Sequence, residues 1–133
     1  MFGLPKRVNY GLELMVALAE RYGQGPVALR RIAKEKKLPF KYLEQVVVPL
    51  REAGLVEAKE GKGGGYFLAV KPEEVSVAEI VWVLEGPVEV GACFGCPKAA
   101  VCGQKSVWAE VGEKVRRAMA EKSLADLIKK EGR

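Results

Sequence analysis

Two short amphipathic segments separated by a tight break constrain the fold of this chain most. The spacing of their apolar residues predicts two helices, one before the break at Leu38-Pro39 and one that starts at Phe40. Two helices joined in this way form a helix-turn-helix, whose second helix presents its N-terminal residues to base edges in the major groove. The apolar positions are Leu29, Ile32 and Ala33 in the first segment and Leu43, Val46, Val47 and Leu50 in the second.

Pro49 lies inside the second segment. A proline there cannot donate a hydrogen bond to the carbonyl of Gln45, and in a regular helix interior it costs about 3 kcal/mol. We therefore expect a kink or an early stop of the helix at Pro49, downstream of the turns that would face DNA.

A β-hairpin is predicted directly after these helices. Residues 55–58 and 66–69 have strand-like apolar content, and the glycines between them permit positive backbone dihedrals. The glycine run is not a phosphate-binding P-loop, because it lacks the GK[ST] ending and the strand-loop-helix context. Beside a helix-turn-helix, the hairpin is interpreted as the wing of a winged helix.

The positive charge of the chain is concentrated in its first half. The net charge is +5, and residues 1–71 carry 13 Lys or Arg against 7 Glu, whereas residues 72–133 carry 9 against 10 acidic residues. This asymmetry fits a partner with a phosphate backbone. The outward positions of the first helix of the pair include Arg30 and Arg31, which makes both candidates for DNA contact.

The three cysteines of the chain, Cys93, Cys96 and Cys102, fall within one ten-residue stretch. Disulfide pairing would always leave one thiol over, so a bound ion or cluster explains the grouping better. Two alternatives that keep DNA binding stay open, a structural zinc site and a simple thiol redox pair. Zinc favours four closed ligands, and the chain has no histidine to supply one.

A remote alternative makes Cys93-Phe94-Gly95-Cys96 the redox centre of a thiol-disulfide oxidoreductase. Such motifs lie at a helix start beside a strand-helix-strand unit, which the pattern of this chain lacks. We therefore expect a binding protein and not an enzyme.

The second half of the chain is predicted to be helical. Ser76 with Glu79 and Ser123 with Asp126 have the spacing of helix N-terminal caps. Between these caps, four apolar residues are spaced by three, four and three positions and form a narrow seam along one helix. Such a seam is typical of two helices that pack across a dimer axis, although burial within the same subunit explains it almost equally well. The seam residues are Trp108, Val111, Val115 and Ala118.

The predicted fold class is mainly α with a small β-hairpin, a winged helix-turn-helix followed by a long C-terminal helix. We divide the chain into a DNA-binding region at residues 1–72 and a cysteine-loop and dimerisation region at residues 73–133, within one compact chain. No apolar run approaches membrane-spanning length, and the N-terminus does not read as a signal peptide, so we expect a cytoplasmic protein with no membrane partner and with reduced thiols.

Several short motifs in this order resemble the winged-helix repressor family that includes IscR, NsrR and CymR. The resemblance implies a homodimer that binds a partly palindromic operator in double-stranded DNA through a winged helix, with a long C-terminal dimerisation helix. In the cluster-bearing branch it also implies an iron–sulfur centre held by three cysteines. The motifs are Tyr42-Leu43-Glu44-Gln45, Ala53-Gly54-Leu55-Val56, Gly63-Gly64-Gly65-Tyr66, Leu124-Ala125-Asp126-Leu127 and the three cysteines.

The resemblance also implies roles for individual residues in DNA binding. Lys41, Glu44 and Gln45 would face bases or the adjoining phosphates, and the wing around residues 59–64 would approach the minor groove. Glu60 stands where the family often has an arginine, and a carboxylate is repelled by a narrow minor groove. The predicted DNA-binding residues are Arg30, Arg31, Lys41, Tyr42, Glu44, Gln45, Lys59, Lys62, Gly63 and Gly64.

For the metal site, the resemblance implies that Cys93, Cys96 and Cys102 hold a 2Fe-2S or 4Fe-4S cluster. The fourth ligand is unknown: Lys105 and Asn9 lie near the places where the family can have a histidine or a carboxylate. A centre with incomplete protein ligation would be open to oxygen or nitric oxide. The overall prediction is a dimeric transcription regulator, expected to be a repressor, whose operator binding is modulated by the cluster.

Overall fold

The computed structural model describes residues 4–87 and 104–130. These residues form six α-helices and one two-stranded antiparallel sheet, which confirms the predicted fold class. A 3-10 turn, Pro72–Glu74, leads from the sheet into the fourth helix. The elements are α1 (Lys6–Glu20), α2 (Leu29–Lys36), α3 (Phe40–Glu52), β1 (Val56–Lys59), β2 (Gly65–Leu68), α4 (Val77–Glu85), α5 (Lys105–Ala120) and α6 (Leu124–Lys130).

Helices α2 and α3 pack against each other and form the predicted helix-turn-helix. Helix α2 ends at Lys36 and is capped by Lys37, whose φ of 56° is in the left-handed region that commonly closes helices. The N–H of Leu38 then donates to the carbonyl of Ala33 at 2.9 Å. Pro39 precedes α3 in an extended conformation, where a proline loses no helical hydrogen bond.

Helix α3 continues through Pro49 to Glu52, so the predicted early stop is wrong, and the alternative of a kink at Pro49 stays a prediction. The proline removes one hydrogen bond, to the carbonyl of Gln45, and Gln45 is an exposed residue. Meanwhile Val46 and Leu50, on the opposite face, are completely buried. Apolar burial on one side of the helix thus outweighs the missing bond on the other.

Strands β1 and β2 form the predicted hairpin, each shifted by one residue from its expected bounds, with Val56 opposite Leu68 and Lys59 opposite Gly65. The start of β2, next to the turn of the hairpin, is hydrogen-bonded to the segment that precedes α2. Val27 exchanges two backbone hydrogen bonds with Tyr66, at 2.9 and 2.8 Å. A Cβ atom on Gly65 would lie 2.4 Å from the carbonyl carbon and oxygen of Val27, so this close approach requires glycine.

The C-terminal end of the chain returns to the winged-helix core. The N–H of Leu124 donates to the carbonyl of Val75 at 2.9 Å, and the N–H of Val77 donates to the carbonyl of Lys122 at 2.8 Å. Leu124 is fully buried in the same core as the residues of α1, which packs against α3, α4 and α6. The division at residue 72 stays a prediction, and the core includes residues from both sides of it.

Both predicted helix caps are confirmed. The N–H of Glu79 donates to Ser76 Oγ at 3.1 Å, and the N–H of Ser76 donates to Glu79 Oε1 at 3.4 Å. At α6, the N–H of Asp126 donates to Ser123 Oγ at 3.2 Å and the N–H of Ser123 donates to Asp126 Oδ2 at 2.9 Å. These reciprocal bonds define where α4 and α6 begin.

Helix α5 packs against α4 and leaves much of its apolar seam accessible. Trp108 and Val111 are half-buried, whereas Val115 and Ala118 are exposed. Among the described residues, therefore, none covers the second half of the seam.

Candidate nucleic-acid interface

The first two turns of α3 separate core residues from solvent-facing polar residues. Leu43 and Val46 are completely buried, while Lys41, Glu44 and Gln45 are exposed. Two of the exposed side chains are long and carry opposite charges, and the third is an amide that can both donate and accept hydrogen bonds. In a helix-turn-helix, the N-terminal residues of the second helix are presented to the major groove, so a DNA-facing role for these three residues stays a prediction.

The start of α3 is held in place from two sides. On one side, the guanidinium of Arg30 in α2 lies over the ring of Phe40, 4.1 Å from its centroid. On the other side, Tyr42 packs edge to face against Tyr10 of α1, with ring centroids 4.8 Å apart and an interplanar angle of 62°. Tyr42 is accordingly half-buried, unlike its neighbour Lys41. Aromatic contacts with α1 and α2 thus flank the start of α3, in addition to the buried apolar face of the helix.

Arg31, the second predicted cation of α2, is paired with a carboxylate. Its Nε donates to Glu35 Oε2 at 3.0 Å, and the guanidinium of Arg21 donates to the other oxygen of Glu35. The hydrogen bond from Arg21, followed by that from Arg31, holds the pKa of Glu35 below its ordinary value. Glu35 therefore stays ionised and offsets part of the positive charge on this side of α2.

The tip of the wing is a tight, exposed turn that carries two lysines. Lys59 and Lys62 are exposed, and Glu60 lies between them in the chain. The N–H of Gly64 donates to the carbonyl of Gly61 at 3.1 Å, and a Cβ on Gly64 would lie 2.1 Å from the carbonyl oxygen of Lys59. Glycine at position 64 lets the hairpin turn this sharply, because a side chain there would collide with the backbone.

The structure brings some of the predicted site residues together and leaves others apart. Arg30 is joined to the start of α3 through Phe40, and β1 of the wing packs directly on α3. The three cysteines lie outside the described residues. Within residues 4–87 and 104–130, no three Cys, Asp or Glu side chains are grouped as a metal site would require.

Sequence reasoning missed three residues that shape this surface: Tyr10, Glu35 and Phe40. Glu35 had a detectable signal, because it follows Arg31 by four residues and such pairs are neighbours on a helix. Tyr10 and Phe40 had none, since their partners Tyr42 and Arg30 lie on other helices and nothing in the spacing links them.

Comparison with known proteins identifies the family. A family model described as Rrf2, an iron-dependent transcriptional regulator, matches residues 4–130. The chain belongs to the Rrf2 family. Among Rrf2 relatives, the transcriptional regulator CymR of Bacillus subtilis is 36% identical over 119 residues, which cover 90% of this chain and 84% of CymR. IscR of Aliivibrio salmonicida is 30% identical over 128 residues, which cover 94% of this chain and 76% of IscR.

Solved structures of Rrf2 proteins agree with this assignment. The structure of CymR from B. subtilis superposes with a TM-score of 0.83 at 34% identity, covering 97% of this chain and 98% of CymR. T. potens IscR gives the same TM-score at 35% identity, covering 98% of this chain and 88% of IscR. Staphylococcus aureus CymR in its oxidized form gives 0.79 at 38% identity, covering 96% of both chains.

Membership in the Rrf2 family confirms two predictions. The resemblance to the family of IscR and CymR is correct, and the chain is a DNA-binding transcriptional regulator with a winged-helix fold. The relatives are regulators and not enzymes, so the oxidoreductase alternative is set aside. Over residues 4–87 and 104–130, none of the helices combines the length and apolar character needed to cross a bilayer.

Proposed function

We propose that this Rrf2 protein is a dimeric cytoplasmic repressor whose affinity for a DNA operator changes with the state of an iron–sulfur cluster on Cys93, Cys96 and Cys102. The observation that carries the proposal is the combination of an exposed recognition face on α3 with three cysteines in one ten-residue stretch. The match to a family described as iron-dependent supports it.

On the DNA side, each group of residues has a proposed role. Lys41, Glu44 and Gln45 reach base edges or adjoining phosphates in the major groove, since they are exposed on the first turns of α3. Arg30 and Arg31 contact phosphates beside that groove. In the wing, Lys59 and Lys62 approach the minor-groove phosphates, and Gly63 and Gly64 permit the close approach of the backbone. The ring of Tyr42 is packed on Tyr10, so Tyr42 contacts DNA through its hydroxyl.

The chemistry of the cysteine donor set fits an iron–sulfur cluster. Three thiolates are soft ligands of the kind that iron–sulfur clusters use, and with no histidine in the chain a closed zinc site would need a fourth ligand of another type. When bound, a cluster supplies an inorganic centre that oxygen, nitric oxide or iron supply can alter. The protein chain supplies the three thiols, which lie in the sequence between the end of α4 and the start of α5.

The proposed dimer uses α5. Val107 and Val115 on this helix are exposed by 53% and 37%, and Ala118, at the end of the seam, is exposed as well. A second copy packed on this seam would bury these side chains. Two recognition helices related by a two-fold axis read half-sites about 34 to 36 Å apart, or a multiple of one helical turn.

A second candidate function keeps the operator but replaces the cluster with thiol oxidation. Staphylococcus aureus CymR, 38% identical to this chain, has been solved in an oxidized form. In this alternative two of the three cysteines are a reversible redox pair and no iron is bound. A structural zinc site is the third possibility for the same thiols.

The test is purification without oxygen, followed by visible absorption and analysis of iron, acid-labile sulfide and zinc. The proposal predicts visible absorption together with iron and acid-labile sulfide in similar amounts. Stoichiometric zinc would support the structural site. Absence of both metals, with thiols that oxidise reversibly, would support the redox alternative and contradict the cluster.

A further inference from the structure

The N-terminal half of α1 contacts the last turn of α4. Arg7 Nε donates a hydrogen bond of 2.8 Å to the carbonyl of Leu84. Leu84 is the second-last residue of α4, and the segment with the cysteines follows this helix. A carbonyl in the last turn of a helix lacks an intrahelical donor, and a cation satisfies it well. Arg7 therefore fixes the end of the helix that leads to the thiols.

Gly11 brings the two helices into direct contact at the same leucine. A Cβ atom on Gly11 would lie 2.2 Å from Leu84 Cδ1, and the Leu84 side chain is buried. Leu84 is thus held by α1 through its backbone carbonyl and through its side chain. A Cβ at this position would require the end of the Leu84 side chain to move, so the glycine allows α1 and the end of α4 to approach this closely.

Tyr10 lies between Arg7 and Gly11 on α1 and contacts the recognition helix. Its ring meets Tyr42 in the first turn of α3, next to the exposed Lys41. Within five consecutive residues, α1 therefore contacts both the end of α4 and the start of α3. A regular helix is stiff over this length, so a displacement at one contact is transmitted to the other.

We propose that Arg7 and Tyr10 are positioning residues that transmit a change at the end of α4 to the recognition helix α3. The inference rests on the proposed function, because it names the route by which the cysteine segment acts on DNA binding. Arg7 senses the position of the Leu84 carbonyl, and Tyr10 sets the angle at which α3 presents Lys41, Glu44 and Gln45. Neither residue is proposed to touch the cluster or DNA.

The experiment compares operator affinity in cluster-loaded and cluster-free protein for a set of matched variants. Arg7→Gln removes the donor to Leu84, and Lys6→Gln removes the same charge from the adjacent, exposed residue. Tyr10→Leu removes the aromatic contact, Tyr10→Phe retains it, and Tyr22→Leu changes an exposed tyrosine at the other end of α1. Affinity for random-sequence DNA and thermal unfolding of each variant report whether the fold is intact.

The ratio of the two operator dissociation constants is the decisive quantity, because an allosteric ratio is commonly about 5 to 150. In Arg7→Gln and Tyr10→Leu we expect this ratio to fall to less than about a third of that in the unsubstituted chain. Lys6→Gln, Tyr22→Leu and Tyr10→Phe should retain it. The affinity for random-sequence DNA should change little in any variant. A substitution that only damaged the fold would lower this affinity too.

Two contrary outcomes are distinguishable. If the unsubstituted chain responds to cluster removal and both Arg7→Gln and Tyr10→Leu respond equally well, the positioning role is overturned while the proposed function stands. If the unsubstituted chain binds its operator equally in both states, cluster control itself is overturned, and with it the route through α1.

Discussion

Arg30 lies with its guanidinium carbon 4.1 Å from the centroid of the Phe40 ring, so an aromatic neighbour holds the side chain of this predicted DNA-contacting residue. A guanidinium stacked in this way keeps its N–H groups at its edges, where they can contact phosphate oxygens. The stack also links α2 to the first residue of α3. The positive charge of Arg30 is therefore held at a fixed place relative to the start of α3.

Replacing Phe40 should weaken operator binding without changing its electrostatic component. Phe40→Leu retains every charge, so the slope of log affinity against log salt concentration should stay the same. The affinity itself should fall about two- to fivefold, because a cation–π contact at an exposed site is worth about 0.5 to 1 kcal/mol. Arg30→Gln is the contrasting variant, and it should reduce the salt slope by about 1. Titrations at several salt concentrations would contradict this account if Phe40→Leu reduced the slope as much as Arg30→Gln.

Glu35 should lower the affinity of the protein for DNA. It pairs with both Arg21, at the end of α1, and Arg31, on α2, so Glu35→Gln leaves two guanidiniums without this carboxylate, and we expect tighter binding with a steeper salt dependence. Glu113→Gln is a matched control, because Glu113 also pairs with two arginines, Arg116 and Arg117, but lies on α5. Equal effects of the two variants on operator affinity, measured at one salt concentration, would contradict a local role for Glu35.

The stability conferred by Glu35 should depend on pH in one direction. The guanidinium of Arg21, with that of Arg31, holds the pKa of Glu35 below its ordinary value of 4.5. The folded state thus favours the ionised carboxylate, and this stabilisation is fully present above pH 4.5 and is lost as the pH falls through the lowered pKa. Thermal unfolding of the unsubstituted chain and of Glu35→Gln should therefore converge on acidification. A difference that grew as the pH fell would contradict the assignment.

The sequence predicted the elements better than it predicted the contacts between them. Periodicity located α2 and α3 because each helix buries a continuous apolar face, and the caps at Ser76 and Ser123 are local chemistry. The same periodicity could not show that Tyr42 packs on Tyr10, because residues 32 positions apart meet only through the tertiary fold. The early stop expected at Pro49 was wrong for a similar reason, because the local sequence does not show that Leu50, the next residue, is completely buried by the tertiary fold.

Of the candidate site, the sequence supplied the exposed residues of α3 and the wing but not what holds them. Lys41, Glu44 and Gln45 are exposed as a recognition helix requires, whereas the pairing of Arg31 with Glu35 changes how much charge α2 offers. The cysteines were identified by composition and spacing alone, and their assignment to a cluster stays a prediction.

Two neighbouring glycines of the wing should differ in what they tolerate. Gly65→Ala would place a Cβ 2.4 Å from the Val27 carbonyl, in a backbone conformation with φ of +148°, and we expect it to lower the free energy of unfolding by about 3 kcal/mol or more. In Gly63→Ala the new Cβ meets no atom within 4 Å. Only the positive φ of +77° is unfavourable for alanine, and we expect it to lower the free energy of unfolding by about 1 kcal/mol. Chemical denaturation measures both values. Equal losses would contradict the close approach of Val27 to the wing.

The most direct test of the account is the dissociation constant for a selected operator fragment, measured without oxygen at fixed ionic strength, before and after cluster removal. The same pair of measurements is made on a variant with Cys93→Ser, Cys96→Ser and Cys102→Ser. The account predicts that the constant changes at least about fivefold in the unsubstituted chain and stays the same in the triple variant. Identical constants for the unsubstituted chain in both states would contradict it.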